Sequence, residues 1–196
     1  TAVSHFSSTA MDLTPIVLEG AAVRLEPLSL THADALVEAA ADGALWESKV
    51  TTIPTSASIE SYINNALLTH QQGAALPFAI VSKLNSRVVG STRFLHITAG
   101  HRRVEIGYTW LASSAQRTAV NTEAKLLLLT HAFERWQCIR VELLTDVLNS
   151  ASRAAIRRLG AREEGVLHHH MLMPDGRIRD SVIHAIVAND WPAIKD

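Results

Sequence analysis

One segment of the sequence could bind an anion through its backbone. The pattern of residues 104–111 predicts a strand, residues 112–119 are mostly small or polar, and a helix pattern starts at Val120. The first amide N–H groups of a helix have no partner within it, and the helix dipole adds partial positive charge there. Such an end suits a pyrophosphate. Strand–loop–helix units without a ligand are commoner, so this pattern alone predicts only a candidate site.

Three consecutive histidines, residues 168–170, raise the question of a metal. Neighbouring residues of a strand point to opposite faces, so only His168 and His170 are expected to share one. No other histidine, cysteine or acidic residue is fixed nearby at a suitable spacing. We therefore predict no metal site. The two histidines are expected either to line a substrate cleft or to lie on a hairpin surface.

The elements that must position these residues follow the order β-α-α-β-β-β-α-β-α-β-β. Alternation and turn residues predict strands at 22–28, 77–82, 88–96, 103–111, 140–146, 165–173 and 178–187. Helices are predicted after Thr31, after Ser58, at 120–136 and after Asn149. This order predicts an α/β (α+β) fold with a mixed, mostly antiparallel sheet of about seven strands. The strands at 103–111 and 140–146 should pair in parallel through the intervening helix.

Composition limits the classes of protein to consider. The 196 residues are 47 % hydrophobic and 19 % charged, which suits one domain; we expect it at 15–196, after a flexible leader at 1–14. A net charge of −1 without a Lys/Arg run argues against a nucleic-acid partner. Apolar runs are too short to span a membrane. The single cysteine, Cys138, fits a reducing compartment, so a cytoplasmic location is expected.

A second stretch makes the pattern more specific. Residues 149–152 (Asn-Ser-Ala-Ser) open a helix directly after a strand, and residues 157–161 (Arg-Arg-Leu-Gly-Ala) close it. Together with residues 105–110 and 121–125, they resemble the GNAT family of acetyl-CoA-dependent N-acetyltransferases, above all its RimJ/RimL-like branch. The resemblance runs from about Leu18 to Trp191. It implies helices on both faces of the sheet, acetyl-CoA as co-substrate, and direct attack of an amine on the thioester.

The resemblance also implies roles for individual residues. The backbone at Trp110 and Leu111 would pair with the pantetheine arm of CoA where the central strands splay apart. Asn149 would hydrogen-bond the same arm, and Ser152 would face the sulfur. The pyrophosphate would be held by the amides of Gln116, Arg117, Thr118, Ala119, Val120 and Asn121.

The sequence departs from the family pattern at three positions. Ala119 stands where the phosphate loop usually has glycine, and Asn121 replaces a smaller residue. Either change could weaken CoA binding, unless Arg117 compensates with a direct phosphate contact. Ile156 stands where many relatives have a tyrosine that protonates the leaving thiolate. Ser152 or a water would then have to supply that proton.

The acceptor amine must be neutral before it attacks. At pH 7, deprotonation costs about 4.6 kcal/mol for a lysine-like amine but only about 1.4 kcal/mol for an α-amine. We therefore expect a protein N-terminus or a small amine of low pKa. Glu105 faces opposite to Val104 and Ile106 and is the candidate general base; otherwise it is solvent-facing or paired across the sheet.

Other residues are expected near the acceptor, and several alternatives stay open. Asp180 could orient the substrate or pair with an arginine, whereas Trp46 could contact the substrate or belong to the core. A homodimer is expected from family habit and exposed sheet edges. Arg93, Arg102 and Arg103 would favour another acyl-CoA donor if they face the site. The alternative functions are a non-catalytic acetyl-CoA sensor and a partner-binding module of the same fold.

Overall fold

The computed structural model describes residues 11–196, which form eight strands and five α-helices. The strands are β1 (Leu18–Glu19), β2 (Val23–Pro27), β3 (Leu76–Ser82), β4 (Arg87–Thr98), β5 (Arg103–Leu111), β6 (Arg140–Asp146), β7 (Arg162–Leu172) and β8 (Ile178–Val187). The helices are α1 (Ala33–Ala41), α2 (Ile59–Gln71), α3 (Ala119–Thr130), α4 (Ser150–Arg158) and α5 (Trp191–Lys195). All seven predicted strands are present. The short elements β1 and α5 were not predicted, because two and five residues carry too little periodicity.

All eight strands belong to one sheet, in the order β1-β2-β3-β4-β5-β6-β8-β7. Every neighbouring pair is antiparallel except β5 and β6, which are parallel. The predicted mostly antiparallel mixed sheet is therefore confirmed.

Helices cover both faces of the sheet, as expected. Phe94 of β4 packs against Trp136, which follows the π-helical turn His131–Arg135 that continues α3, with ring centroids 4.6 Å apart. Its neighbour Arg93 points the other way and lies 5.3 Å from the ring of Tyr62 in α2. We call these the α3 face and the α2 face. Strand pairing from β5 through β6 and β8 to β7 puts Glu163 of β7 on the α3 face. Glu163 binds Arg157 of α4, so α4 covers the α3 face too.

A bulge in β5 redirects two side chains. Arg93 pairs with Gly107 and Ser91 pairs with Trp110, so Tyr108 and Thr109 together oppose a single residue, Thr92. Tyr108 is the extra residue of this bulge and has φ +50°. Thr109 consequently contacts Thr92 on the α3 face, whereas the Tyr108 ring lies 4.2 Å from the Arg93 guanidinium on the α2 face.

The parallel strands separate soon after they meet. β5 and β6 share only three residue pairs, the last being Glu105 with Glu142. Beyond it, β6 continues to pair with β8 as far as Asp146, and residues 106–111 of β5 have no partner on β6. The gap between residues 106–111 of β5 and 143–146 of β6 is called the splay below. The splay that the resemblance implied is therefore present.

Helix starts differ from prediction at two positions. Ser58 precedes α2 as predicted, but its hydroxyl accepts from the Thr55 amide at 2.9 Å and does not cap the helix. Thr31 does not cap α1: a 3-10 turn over Leu30–His32 precedes that helix, and Ser29 with His32 forms a capping box around the turn. Asn149 caps α4 as predicted, because its Oδ1 accepts from the Ser152 amide at 3.0 Å. Gly160 follows the end of that helix with φ +85°.

Part of the expected leader is attached to the domain. Residues 1–10 lie outside the described residues. Met11 is buried in the core, the Asp12 carbonyl accepts from Trp136 Nε1 at 2.9 Å, and the Leu13 carbonyl contacts His70 Nε2 at 2.8 Å. Burial of Met11 and two side-chain hydrogen bonds thus attach residues 11–13 to the domain.

Candidate functional site

The N-terminus of α3 has the architecture of an anion site. Thr118 caps the helix: its Oγ1 accepts from the Val120 amide at 3.3 Å and donates to the Ala115 carbonyl at 2.7 Å. Within residues 11–196, no group accepts from the amides of Arg117 and Thr118. Free amides at a helix N-terminus can bind phosphate oxygens. Backbone donors therefore lie where the resemblance places the pyrophosphate.

The substitution at Ala119 does not strain this loop. Ala119 is exposed at the first position of α3, with φ outside the left-handed region. The residue that adopts a left-handed conformation is Arg117, with φ +58°. The loop therefore needs no glycine at 119 for its backbone, and its conformational cost falls on Arg117. Gln116 stabilises the preceding turn, because its Nε2 donates to the Leu111 carbonyl at 2.9 Å.

On α4, the predicted residues share one end of the helix. Asn149 uses its Oδ1 for the cap, which leaves its side-chain N–H groups to serve a ligand. Ser152 is half-buried in the first turn, and Ile156 is buried one turn later. Ile156 has no proton to donate, and the supply of that proton by Ser152 or a water stays a prediction.

Glu105 lies at the point where the splay opens, on the α2 face. Its side chain is buried, and its Oε2 is 2.7 Å from Nδ1 of His96 on β4. This hydrogen bond raises the pKa of His96, so the pair favours an imidazolium beside a carboxylate. A neighbour of this kind is what the cross-strand alternative predicted. The hydrogen bond to His96 also orients the Glu105 carboxylate, so cross-strand pairing is compatible with a role as general base.

An aromatic and cationic group extends from Glu105 along the α2 face. Arg93 is buried between the rings of Tyr108 and Tyr62, and Tyr62 OH accepts from Trp110 Nε1 at 3.2 Å. Of the arginines considered for another acyl donor, Arg93 faces this side of the site. Arg102 and Arg103 lie at the start of β5, away from the splay.

Arg177, which the sequence did not single out, connects the β7–β8 turn to the segment that precedes α2. Its Nη2 binds Asp146, a fully buried carboxylate at the end of β6, at 2.5 Å, and also the Lys49 carbonyl at 2.8 Å. The β7–β8 turn is thereby attached to the segment that carries Trp46, which is 43 % exposed. Only the tertiary structure brings these residues together.

The histidine run is arranged differently from the expectation. Three residues of β7, 168–170, lie opposite a single residue of β8, Asp180, because β7 bulges at His169, which has φ +49°. The regular pairs on either side are Leu167–Ser181 and Met171–Arg179. His168 Nδ1 binds Asp180 at 3.0 Å and His170 Nδ1 binds Ser181 Oγ at 2.9 Å. The shared face predicted for His168 and His170 is therefore wrong, since successive residues of β8 point to opposite faces.

Asp180 pairs with histidine rather than arginine. It accepts from His168 and from the His169 amide at 2.7 Å. These bonds lower the pKa of the Asp180 carboxyl. The arginine pairing considered from sequence is thus not the one observed, because the bulge brings the histidines to this carboxylate.

Two charged residues of α3, Glu123 and Lys125, make contacts with other elements. Glu123 accepts from three backbone amides of the β1–β2 turn, Ala21, Ala22 and Val23, at 2.8, 2.6 and 2.7 Å. Lys125 is 6 % exposed and donates to Thr109 Oγ1 at 2.5 Å. Burial lowers the pKa of Lys125 to about 7. The helical pattern could have indicated this, because Lys125 falls between buried positions 124 and 128.

Residues 11–196 lack two kinds of feature. No three or more His, Cys, Asp or Glu side chains are grouped so that they could hold a metal ion. No helix in this part of the chain has the length and hydropathy to cross a membrane.

Comparison with known proteins identifies the family. Residues 22–162 match the model of the acetyltransferase (GNAT) domain. YdaF of Bacillus subtilis (strain 168), provisionally named a ribosomal N-acetyltransferase, is 33 % identical over 95 residues, which are 48 % of this chain and about half (51 %) of YdaF.

Solved structures agree over nearly the whole chain. A GCN5-related N-acetyltransferase from Brucella melitensis is 30 % identical with a TM-score of 0.82, covering 92 % of this chain and 82 % of its own. RimJ of Mycobacterium smegmatis, solved with CoA disulfide, is 25 % identical with a TM-score of 0.79, covering 92 % and 91 %. The chain therefore belongs to the GNAT acetyltransferase family, whose members are acyltransferases that use acetyl-CoA.

Proposed function

We propose that this protein transfers the acetyl group of acetyl-CoA to the α-amine of a protein N-terminus or to a small-molecule amine. The observation that carries the proposal is that two stretches of backbone with free hydrogen-bonding groups follow each other along the chain. Residues 106–111 of β5 have no β6 partner, and they lead directly to the free amides before α3. The first stretch suits an extended amide-containing arm, and the second suits its pyrophosphate.

Each residue set has a defined part in this proposal. The Trp110 and Leu111 backbone and the Asn149 amide bind the pantetheine arm. The pyrophosphate binds at residues 116–121, chiefly through the amides of Arg117 and Thr118, because those of Gln116 and Val120 already donate within the loop. The amine attacks the thioester carbonyl from the α2 face. Glu105 takes a proton from the amine, directly or through a water, while the C–S bond breaks and its electron pair passes to sulfur. Ser152 is placed on the opposite, α4 side of the splay.

The proposed acceptor side suits an amine because the carboxylate of Glu105 lies there. Glu105 attracts a cationic amine before it is deprotonated, and an α-amine loses its proton more easily than a lysine amine. The names of YdaF and of RimL, an L7/L12 α-N-protein acetyltransferase of the same fold, support a protein N-terminus as the acceptor. Trp46, His168 and His170 remain proposed contacts to that acceptor.

The first test is binding of acetyl-CoA. Acetyl-CoA at about 100 times its Kd adds roughly 2.7 kcal/mol of stability, which should raise Tm by about 5–10 °C. Adenosine monophosphate is the control and should give a much smaller shift. No shift at millimolar acetyl-CoA would contradict the proposal and favour the partner-binding alternative.

The second test is acetyl transfer. Peptides with free α-amines and small amines are screened for release of CoA, with the acetylated product identified by mass spectrometry. Glu105→Gln should lower kcat/KM by about 10²-fold or more, because the base is lost. Glu164→Gln, an exposed carboxylate bound to Arg140, is the matched control and should keep activity. Binding of acetyl-CoA without transfer to any amine would instead support the sensor alternative.

Location and assembly belong to the same proposal. We place the protein in the cytoplasm, supported by its one thiol: Cys138 is buried, and burial raises its pKa to about 12. A homodimer is supported by β7, an edge strand of eleven residues with exposed Val166 and Leu167. Light scattering that gives a monomer mass at micromolar concentration would contradict the dimer.

A further inference from the structure

Lys125 is a buried amine that has no role in the acetyl transfer proposed above. Its Nζ donates to Thr109 Oγ1 at 2.5 Å, and Thr109 shares a hydrogen bond of 2.8 Å with Thr92. No carboxylate of the described residues lies within ion-pair distance of this amine. Burying an ammonium without a counter-ion is costly, so a fold that keeps one at such a place needs a reason.

The position of Lys125 relates it to the splay. Thr109 belongs to the stretch of β5 that has no β6 partner, and Lys125 approaches it from the α3 face. Glu105, on the α2 face, is the one charged group of the described residues whose field raises the pKa of Lys125, while burial lowers it. A carboxylate and an amine on opposite faces thus interact at the level where the sheet opens.

The α3 face is also the face that α4 covers. Ser152 and Ile156 therefore belong to a helix on the same face of the sheet as Lys125. Ile156 is an apolar side chain where the resemblance implies a proton donor. Lys125 is a buried group on this face that carries transferable protons, and its partner Thr109 belongs to the β5 stretch that borders the splay.

We propose that Lys125 is the general acid that protonates the sulfur of CoA as it leaves, in place of a tyrosine at position 156. This inference rests on the proposed acetyl transfer. The acceptor amine loses one proton to Glu105 or water. As the C–S bond breaks, its electron pair goes to sulfur, and one Nζ–H proton of the Lys125 ammonium moves to that sulfur. The products are the acetylated amine and CoA thiol, and the neutral Lys125 regains a proton from solvent.

The acidity of the group suits this transfer. A thiol has a pKa of about 8.5, so an ammonium with a pKa of about 7 gives its proton to a thiolate downhill. An ordinary lysine, with a pKa of about 10.4, would not. Because the acid must be protonated to act, its contribution is present below pH 7 and is lost as pH rises through about 7.

The test compares pH profiles. Lys125→Met keeps the length and apolar stem of the side chain but removes the proton. The ratio of wild-type to K125M kcat, measured with one acceptor, cancels the titration of that acceptor. We expect a ratio of about 10² at pH 6 that falls by about tenfold per pH unit above 7. Lys195→Met, an exposed lysine bound to Glu134, is the matched control and should give a ratio near one.

A merely structural Lys125 gives a different result. It predicts a ratio that does not change with pH, or K125M activity within about twofold of the wild type, and either outcome would overturn the inference. If K125M is too unstable to assay, Lys125→Ala is tested with small alkylammonium ions. Rescue that grows with the acidity of the added ion, with the acetylated peptide measured by mass spectrometry, supports the role. No rescue in an alanine variant that still binds acetyl-CoA overturns it.

Failure of the inference can be told from failure of the proposed function. If the wild-type protein transfers no acetyl group to any amine, the proposed function fails before Lys125 is tested. If the wild type is active and the lysine variants show no pH-dependent loss, only the role of Lys125 fails.

Discussion

At the scale of single residues, Arg117 combines two physical demands. Its backbone holds a left-handed conformation that costs an L-residue about 1–2 kcal/mol, whereas glycine pays no such steric cost. Its guanidinium stands beside the free amides before α3, where a phosphate contact would be charge-assisted. Stability and ligand binding therefore favour different residues at this position.

Arg117→Gly should separate these demands. We expect the free energy of unfolding of the ligand-free protein to rise by about 0.5–1 kcal/mol, because the strain is removed and part of the gain is lost to the entropy of glycine. The Kd for acetyl-CoA should increase by about tenfold through loss of the charge. Urea denaturation and titration calorimetry measure the two effects, with Arg117→Lys as the control that keeps charge and strain. Tighter binding by the glycine variant would refute a phosphate contact.

At the scale of elements, Glu123 fastens the start of α3 to the β1–β2 turn. One carboxylate satisfies three backbone amides of that turn, and Gly20 allows the approach, since a Cβ there would lie 2.5 Å from the Glu123 carboxyl carbon. The helix that carries the candidate phosphate site is thereby held to the edge of the sheet. No sequence motif considered at the outset indicated this contact.

Glu123→Ala should lower the free energy of unfolding by about 2–4 kcal/mol, because three amides lose a charged acceptor and the turn loses its attachment. Chemical denaturation measures the change. Glu60→Ala is the matched control: this glutamate is exposed in the first turn of α2, and its loss should cost less than about 1 kcal/mol. Equal losses in the two variants would show that the three hydrogen bonds contribute nothing specific.

At the scale of the whole molecule, two buried histidines make stability depend on pH. His184, fully buried in β8, and His131, buried at the end of α3, both have pKa values lowered from 6.5, mainly by burial. Each therefore binds a proton more readily in the unfolded chain than in the folded protein. The stability that depends on the neutral histidines is fully present when the pH is above their pKa in the unfolded chain. It is lost as the pH falls through their lower pKa in the folded protein.

We expect the free energy of unfolding to fall as pH decreases below about 6.5, with a slope of up to about 1.4 kcal/mol per pH unit for each proton taken up on unfolding. Urea denaturation across pH 5–8 measures it. In His184→Leu the slope should decrease whatever the absolute stability, while replacement of the exposed His101 should leave the slope unchanged. A slope that His184→Leu does not alter would exclude this histidine as a source.

Much of the fold and of the candidate site could be predicted from the sequence. Alternation and helical spacing predicted the seven longer strands and the four longer helices, and β6 and β8 have the predicted bounds. The cap at Asn149 and the loop before α3 follow from local chemistry, since caps and turns depend on adjacent residues. The family resemblance rested on these same local stretches.

What only the tertiary structure decided concerns contacts between residues distant in sequence. The bulge that sends Tyr108 toward Arg93 depends on the register of β4 against β5, and the burial of Lys125 depends on α3 packing over the splay. Arg177 joins Asp146 to Lys49, residues 31 and 128 positions away along the chain. Periodicity reports which face a residue occupies but not which residue of another element lies opposite. Local chemistry therefore determined the elements of this protein and its candidate ligand loop, whereas strand register and packing decided which charges meet at the site.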